Sequence, residues 1–373
     1  MRAATYRPTE IVVDLSAISE NVRRLVEHVA PAQVCAVVKA DAYGHGLVPA
    51  AHAAVEGGAT WLAVAVPDEA YELRDADFAS PILLLSEPQP TMWAALLLSD
   101  VDVMAYSDEA LDAAEGAAKS LDRVARVHLK VDTGMHRVGC HRDDAARLAE
   151  RISRSPHLHL AGLATHLATA DDPDSLYPAV QLDRYRIAEE SISAVAGDSY
   201  LRHVANSAAA IVMPAAHYDL VRCGIACYGI APSPAIASRL ELVPALTLRS
   251  KVSFVKRLPA GEPVSYGCRY VAEIETTIAT LPIGYADGVP RSFGLDGGEV
   301  LIGGRRHPVV GTVTMDQTMV DVGDHAVSVG DEVVLIGTQG EDEITANEVG
   351  ATVGTIGYEI VTRLGGRLPR RYR

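Results

Sequence analysis

The sequence predicts an α/β protein: an N-terminal (β/α)8 TIM-type barrel over residues 1–240 and a mainly β domain over residues 241–373. Three observations predict it. The length fits two domains, short apolar runs alternate with helical patterns over the first two-thirds, and the pattern changes near residue 240.

At 373 residues the chain exceeds one ordinary domain, whereas a barrel of up to roughly 250 residues plus a smaller domain accounts for it. Hydrophobic residues make up 49% and charged residues 22%, the balance of a folded protein rather than a disordered one. A formal net charge of −15 would repel a phosphate backbone and argues against a nucleic-acid partner. The basic cluster Arg363, Arg367, Arg370, Arg371 and Arg373 reads as a solvated C-terminal tail. Met1 to Glu10 shows no apolar leader, and no stretch approaches the ~18 apolar residues of a membrane span. A cytoplasmic protein with no membrane partner is expected. The five cysteines are scattered and form no disulfide framework. Cys223 and Cys227 lack a second pair of ligands, so no metal is expected.

Eight apolar β-rich runs can be placed in the first part: Val34–Val38, Trp61–Val66, Ile82–Leu85, Val101–Ala105, Val124–Val131, Leu158–Ala164, Leu201–Ala205 and Leu220–Cys223. Segments between them, such as Asp108–Lys119, Asp143–Ser153 and Leu176–Val195, are rich in Ala, Leu and Glu and read as helices. Ahead of them, Asp14–Val29 sets Ile18, Val22, Leu25, Val26 and Val29 at helical spacing, with Asp14 or Ser16 able to cap its start and Pro31 closing it. Strand-then-helix units in that number suggest the closed barrel; an open doubly wound sheet, the alternative, usually has fewer strands. The boundary falls near Arg239–Pro244. Beyond it the runs Leu246–Phe254, Thr276–Leu281, Val309–Val313 and Glu332–Ile336 are separated by Gly-rich turns and predict strands.

A barrel displays its chemistry where strands end, so the residues closing each run are the first candidates. They are Lys39, Ser86, Ser107, Lys130 with Asp132, His166, Asn206 and Arg222. Lys39, at the rim, could form an imine once desolvation releases its neutral amine, although an ion-paired structural lysine is commoner at such a position. Arg222 alone would suit a structural ion pair. An Asn206-Ser207 pair before a helix is ordinarily a cap.

The segment Ala36-Val37-Val38-Lys39-Ala40-Asp41-Ala42-Tyr43-Gly44-His45-Gly46 resembles the cofactor-lysine motif of the alanine racemase family. Further segments resemble that family in the same order over nearly the whole chain: Lys130 to Gly139, Thr165-His166, Asn206-Ser207, Arg222 to Ile225, Ser265-Tyr266-Gly267, Ile283 to Gly288, Met315-Asp316 and Gly357-Tyr358-Glu359. The family fold agrees with the division read from periodicity. Asp41 departs from the Asn of many relatives, but both side chains support turn geometry. Gly357 stands at a variable position.

The resemblance implies a pyridoxal 5′-phosphate racemase that interconverts L- and D-alanine by two opposed bases and supplies D-alanine for peptidoglycan. Lys39 would carry the cofactor and serve one face of Cα; Tyr266 would serve the other. Tyr266 seen alone reads as a half-buried strand tyrosine, and as a base it needs neighbours that favour its phenolate; His166 and Arg222 are implied there. Arg222 would face the pyridine nitrogen, while Tyr43, Ser207, Tyr358 and the backbone amides of Gly224 and Ile225 would hold the phosphate; Asn206 is implied among the cofactor-binding residues. Arg137 and the Met315 backbone amide would take the substrate carboxylate. Lys130 matches a lysine carbamylated in many members, and could equally pair with a carboxylate. Tyr285 and Tyr358 would narrow the entrance. A homodimer with shared active sites is implied. Alternatives are a racemase of another small amino acid such as serine, a non-catalytic pyridoxal phosphate-binding protein, and a decarboxylase of the same fold type.

Overall fold

The computed structural model describes residues 7–373, so the expectation of no leader in Met1 to Tyr6 lies outside the described residues. The chain divides into two units, one built from Ile18–Ala42 and Leu47–Val243, the other from the residues up to Ala17, Tyr43–Gly46 and Pro244–Arg373. Strand β1 (Glu10–Val13) belongs to the second of these units.

The barrel unit holds eight parallel strands: β2 (Gln33–Val37), β3 (Trp61–Val64), β4 (Ile82–Leu84), β5 (Val101–Ala105), β6 (Ala125–Lys130), β7 (Leu158–Ala164), β8 (Leu201–His203) and β9 (Leu220–Cys223). β2 pairs with both β3 and β9. The ring closes between β8 and β9, where the Asp219 N–H donates to Arg202 O at 3.1 Å and the Arg222 N–H to Ala205 O at 2.9 Å. These strands are buried on both faces, as parallel strands wrapped by helices must be, and so read as continuous apolar runs. The helix Leu15–Val29 starts on Asp14, whose carboxylate accepts from the Ala17 N–H at 3.1 Å. Ile18, Val22, Leu25 and Val29 are all buried, as their spacing predicts.

In the other unit β1 lies between β10 (Leu246–Lys251), to which it is antiparallel, and Arg370–Tyr372, to which it is parallel. The same sheet continues from β10 through Glu332–Gln339 and Glu299–Ile302 to Arg305–Pro308. A three-stranded sheet combines Phe254–Leu258, Thr276–Leu281 and Thr318–Asp321. Val309–Val313 is not a strand: only Val309 makes a bridge, to Val320, and Gly311 turns the chain at φ +71°. The basic C-terminus is not a loose tail either. Arg363, Arg367, Arg371 and Arg373 pair with Glu359, Asp316, Glu10 and Asp14, and the Arg370 Nε–H donates to Gly44 O at 2.8 Å. Among the described residues no helix is long and apolar enough to cross a membrane.

Candidate active site

Lys39 stands two residues past the end of β2 and is half-buried. Burial, and then the Arg137 guanidinium, push its ammonium below the usual lysine range; Glu69 opposes them. Glu69 is itself committed to backbone, accepting from the N–H of Ala40 at 2.6 Å, Ala65 at 2.9 Å and Val66 at 3.3 Å. No ion pair ties Lys39 to a carboxylate among the described residues, so the reading of Lys39 as a structural salt-bridge lysine loses its partner.

After Lys39 the backbone turns left-handed through Ala40, Asp41, Ala42 and Tyr43, with φ of 54°, 54°, 52° and 53°. Each non-glycine residue in that region costs roughly 1–2 kcal/mol, so the surroundings must impose the turn. Two anchors do so in the barrel unit: Glu69 on Ala40 N–H, and the Asp41 carboxylate accepting from Leu47 N–H at 2.8 Å, where the next helix begins. In the other unit Gly44 passes so close to Val361 that a Cβ would sit 2.3 Å from its carbonyl oxygen.

Arg222, near the end of β9, is buried and faces no carboxylate in hydrogen-bond contact. Its NH1 donates to His203 O at 2.5 Å and His203 Nδ1 at 3.0 Å. Its NH2 donates to Thr165 O at 2.7 Å, Val204 O at 3.2 Å and His166 Nδ1 at 3.3 Å. The expectation of a structural ion pair is thus not met, and the Nε–H remains without a partner among the described residues. Burial lowers the guanidinium to about 10, which leaves it charged at neutral pH. His166 is held well below its ordinary value by burial, then by Arg222, Lys130, Arg137 and Lys39, and is neutral. Lys130, closing β6, is lowered to about 7 by burial and by Arg222, Arg137 and Lys39, against Asp132.

Asn206 is a helix cap, its Oδ1 accepting from the Ala209 N–H at 3.0 Å. Ser207 does something else. Its Oγ accepts from the Gly224 N–H at 2.9 Å, tying the first turn after β8 to the turn after β9 that begins at Ile225. Ser86 and Ser107 stay outside this group; Ser107 caps the helix Asp108–Ser120 and bonds Glu87.

Tyr43, Tyr266, Tyr285, Met315 and Tyr358 lie in the other unit. The rings of Tyr43 and Tyr358 stand 6.3 Å apart, tilted by 56°. Tyr266 is no strand tyrosine: it sits in a 3-10 turn between Ser265 (φ 66°) and Gly267 (φ 79°) and is 72% exposed. Its carbonyl accepts from Thr312 Oγ at 3.0 Å. Tyr266 shares a cleft with Arg7, Tyr285, Met315, Asp316 and Arg367. The buried Asp287 organises the Tyr285 turn, accepting from Arg7 NH1 at 2.7 Å and the Gly284 N–H at 3.1 Å.

Residues 13–232 match the family profile described as alanine racemase, N-terminal domain, and residues 245–372 the one described as alanine racemase, C-terminal domain. The chain belongs to the alanine racemase family. It is 47% identical over 367 residues, 98% of this chain and 97% of the relative, to an alanine racemase of Symbiobacterium thermophilum. The crystal structure of alanine racemase from D-cycloserine-producing Streptomyces lavendulae superposes with a TM-score of 0.95 at 41% identity, covering 99% of this chain and 98% of that one. The crystal structure of alanine racemase from Bacillus anthracis with bound L-Ala-P gives 0.93 at 39% identity, covering 100% and 96%. Alanine racemases are pyridoxal 5′-phosphate-dependent enzymes that interconvert L- and D-alanine. The C-terminal match removes the non-catalytic carrier from the alternatives, because such carriers resemble only the barrel half.

The barrel residues fit that cofactor. Lys39, Lys130, Arg137 and Arg222 act on one another as a cluster of positive charge, opposed chiefly by Glu69 at Lys39 and Asp132 at Lys130. Such a cluster favours an anionic ligand, and phosphate, phenolate and carboxylate groups supply that charge. The spare Arg222 Nε–H suits a ring nitrogen that accepts.

Sequence reasoning missed Glu69 and the polar residues within the strands, Asp102, His128 and His203. Asp102, His128 and His203 carry a signal, as ionisable residues interrupting otherwise apolar runs, whereas Glu69 in the helix Pro67–Asp75 carries none.

Proposed function

We propose that this chain racemises alanine with Lys39 and Tyr266 as opposed bases, one on each face of Cα. The observation that supports it best is the state of Lys39, a half-buried amine with depressed basicity and no ion-pair partner among the described residues. Such an amine would hold pyridoxal 5′-phosphate covalently and, when free, can take a proton at Cα. Pyridoxal 5′-phosphate supplies the electron withdrawal that makes the Cα proton removable.

The chain's residues divide the remaining work. Arg222 stays charged and presents Nε–H to the ring nitrogen; a guanidinium gives up its proton reluctantly, which limits delocalisation and side reactions. The Ser207 hydroxyl and the Ile225 N–H, with Tyr43 and Tyr358, would hold the phosphate end, Asn206 capping the helix that carries Ser207 and the Gly224 N–H, bonded to Ser207 Oγ, fixing that hydroxyl. Arg137 and the Met315 N–H orient the substrate carboxylate, Arg137 by its planar fork. His166, neutral, keeps Nε2–H because its Nδ1 accepts from Arg222, and that proton is offered to the Tyr266 oxygen. Tyr285 and Tyr358 narrow the entrance against side chains larger than a methyl group, which favours alanine over serine. Tyr266 is exposed in the single chain, and a homodimer in which each C-terminal unit completes the partner's barrel gives it a site. The setting is cytoplasmic, supplying D-alanine for peptidoglycan.

Lys130 is mostly neutral above about pH 7, so its amine can add to CO2, releasing one proton and forming a carbamate. The carbamate turns that neutral amine into an anion within the electrostatic reach of Arg137, Arg222 and Lys39. Polarimetry tests both points. L-Alanine with purified protein and pyridoxal 5′-phosphate is expected to lose its rotation, with L-serine slower by about 10-fold or more. Degassed, CO2-free buffer at pH 8 should slow the reaction, and bicarbonate should restore it. Unchanged rotation of L-alanine defeats the activity; indifference to CO2 defeats the carbamate alone.

A further inference from the structure

Asp102, His128 and His203 form a buried polar chain through the barrel that ends on Arg222. The links are Arg222 NH1 to His203 Nδ1 at 3.0 Å, His203 Nε2 to His128 Nδ1 at 2.9 Å, and His128 Nε2 to Asp102 Oδ2 at 3.1 Å. All four side chains are at most 5% exposed. At the far end Arg126 Nε donates to Asp102 Oδ1 at 2.8 Å, beside a cleft lined also by Asp100, Arg123 and Val124.

The two ends fix the direction of every bond. A guanidinium has no acceptor, so His203 Nδ1 must accept and its proton resides on Nε2. His203 Nε2–H then donates to His128 Nδ1, and His128 Nε2–H to Asp102, whose two oxygens, accepting from His128 and Arg126, suit the ionised carboxylate. Burial alone would raise the Asp102 carboxyl, but hydrogen bonds from His128 and Arg126 outweigh it and hold it below its ordinary value. His203 is kept neutral by burial and by the Arg222 charge.

The geometry is built for this chain. His128 on β6 and His203 on β8 are separated by β7, where Gly162 is the register partner of His128. A Cβ on Gly162 would stand 2.2 Å from His128 Nδ1. Only glycine there lets the imidazole lean across β7 to its neighbour. Trp61 supports the ring edge-on, with centroids 5.6 Å apart.

We propose that Asp102 is a positioning residue for Arg222: by setting both imidazoles as Nε2–H tautomers it turns an acceptor toward the guanidinium and so aims the Arg222 Nε–H. The carboxylate nearest along the bonded network is thus two rings away, which places an anion in the chain without offering Arg222 a direct salt bridge. This rests on the reading that Arg222 serves the cofactor ring.

The test uses the holoenzyme and two single variants, Asp102→Leu and Gly162→Ala, which interrupt the chain at different points, at its far end and beside His128. Long-range 1H–15N NMR reads the imidazole tautomers, and absorbance against pH reads the bound cofactor. In the unmodified protein both imidazoles should appear as neutral Nε2–H. In Asp102→Leu His128 should lose that pure tautomer, the cofactor's pH profile should shift, and kcat should fall roughly 10- to 100-fold with KM for alanine changed less than about 2-fold. Gly162→Ala should reproduce the spectral shift with Asp102 intact. Unaltered tautomers and spectrum in a folded Asp102→Leu enzyme overturn the proposal, as does an Nδ1–H tautomer on either histidine of the unmodified protein. Arg222→Gln separates the two readings: if it leaves the cofactor's pH profile unchanged, the ring-facing role of Arg222 fails, whereas a shift there with none in Asp102→Leu rejects the relay alone.

Discussion

Lys39→Ala is expected to lower alanine racemisation by at least about 10³-fold, because it removes both the covalent anchor and one of the two bases; a positioned general base alone is worth about 10²–10⁴-fold. The loss should persist at saturating cofactor, since binding is not the step removed. Borohydride reduction and peptide mapping check the assignment independently of rate. The unmodified protein should give a pyridoxyl adduct on the peptide containing Lys39, and the variant none. An adduct on Lys130, or on any other lysine, would sink the assignment while leaving the family membership intact.

Hybrid dimers offer an effect of comparable size in the opposite direction. Subunits carrying Lys39→Ala and subunits carrying Tyr266→Phe are each expected to be nearly inactive. After reversible dissociation and mixing in equal amounts, half of the dimers are hybrids. If each site takes Lys39 from one chain and Tyr266 from the other, one site of a hybrid carries both lesions and the second carries neither. Recovery should then reach about a quarter of the unmodified activity. Were both residues drawn from the same chain, every site would retain a lesion, and mixed dimers shown to be present would recover no more than the sum of the parents. The exposure of Tyr266, 72% in the single chain, is what a residue awaiting a partner would show.

The barrel was legible because strands buried on both faces leave largely apolar runs; the observed β3 to β9 fall within the runs read from sequence, and β2 begins one residue before its run. The place of β1 was not legible. Its partners, Leu246–Lys251 and Arg370–Tyr372, are remote in sequence, and periodicity carries no record of which strands pair. The same blindness made the arginines of the C-terminus look solvated, when Arg371 and Arg373 reach Glu10 and Asp14 at the other end of the chain. For the site, strand-end positions exposed Lys39, Lys130, His166 and Arg222, because a barrel collects its chemistry at one rim. Tyr266 escaped that logic, since a turn in a β-rich unit has no such address, and only resemblance singled it out. Asp102, His128 and His203 were passed over as interior strand residues. Their meaning depends on hydrogen bonds across three strands, made possible by the absent side chain of Gly162.

The claim that two bases work on opposite faces of Cα is tested most directly by deuterium wash-in with the Tyr266→Phe enzyme, following Cα exchange in D2O from L-alanine and from D-alanine separately. Loss of one base should suppress exchange from one enantiomer far more than from the other, by about 10²-fold or more, while the unmodified enzyme exchanges both at similar rates. Equal residual exchange from the two enantiomers would contradict the account and leave Lys39 serving both faces alone.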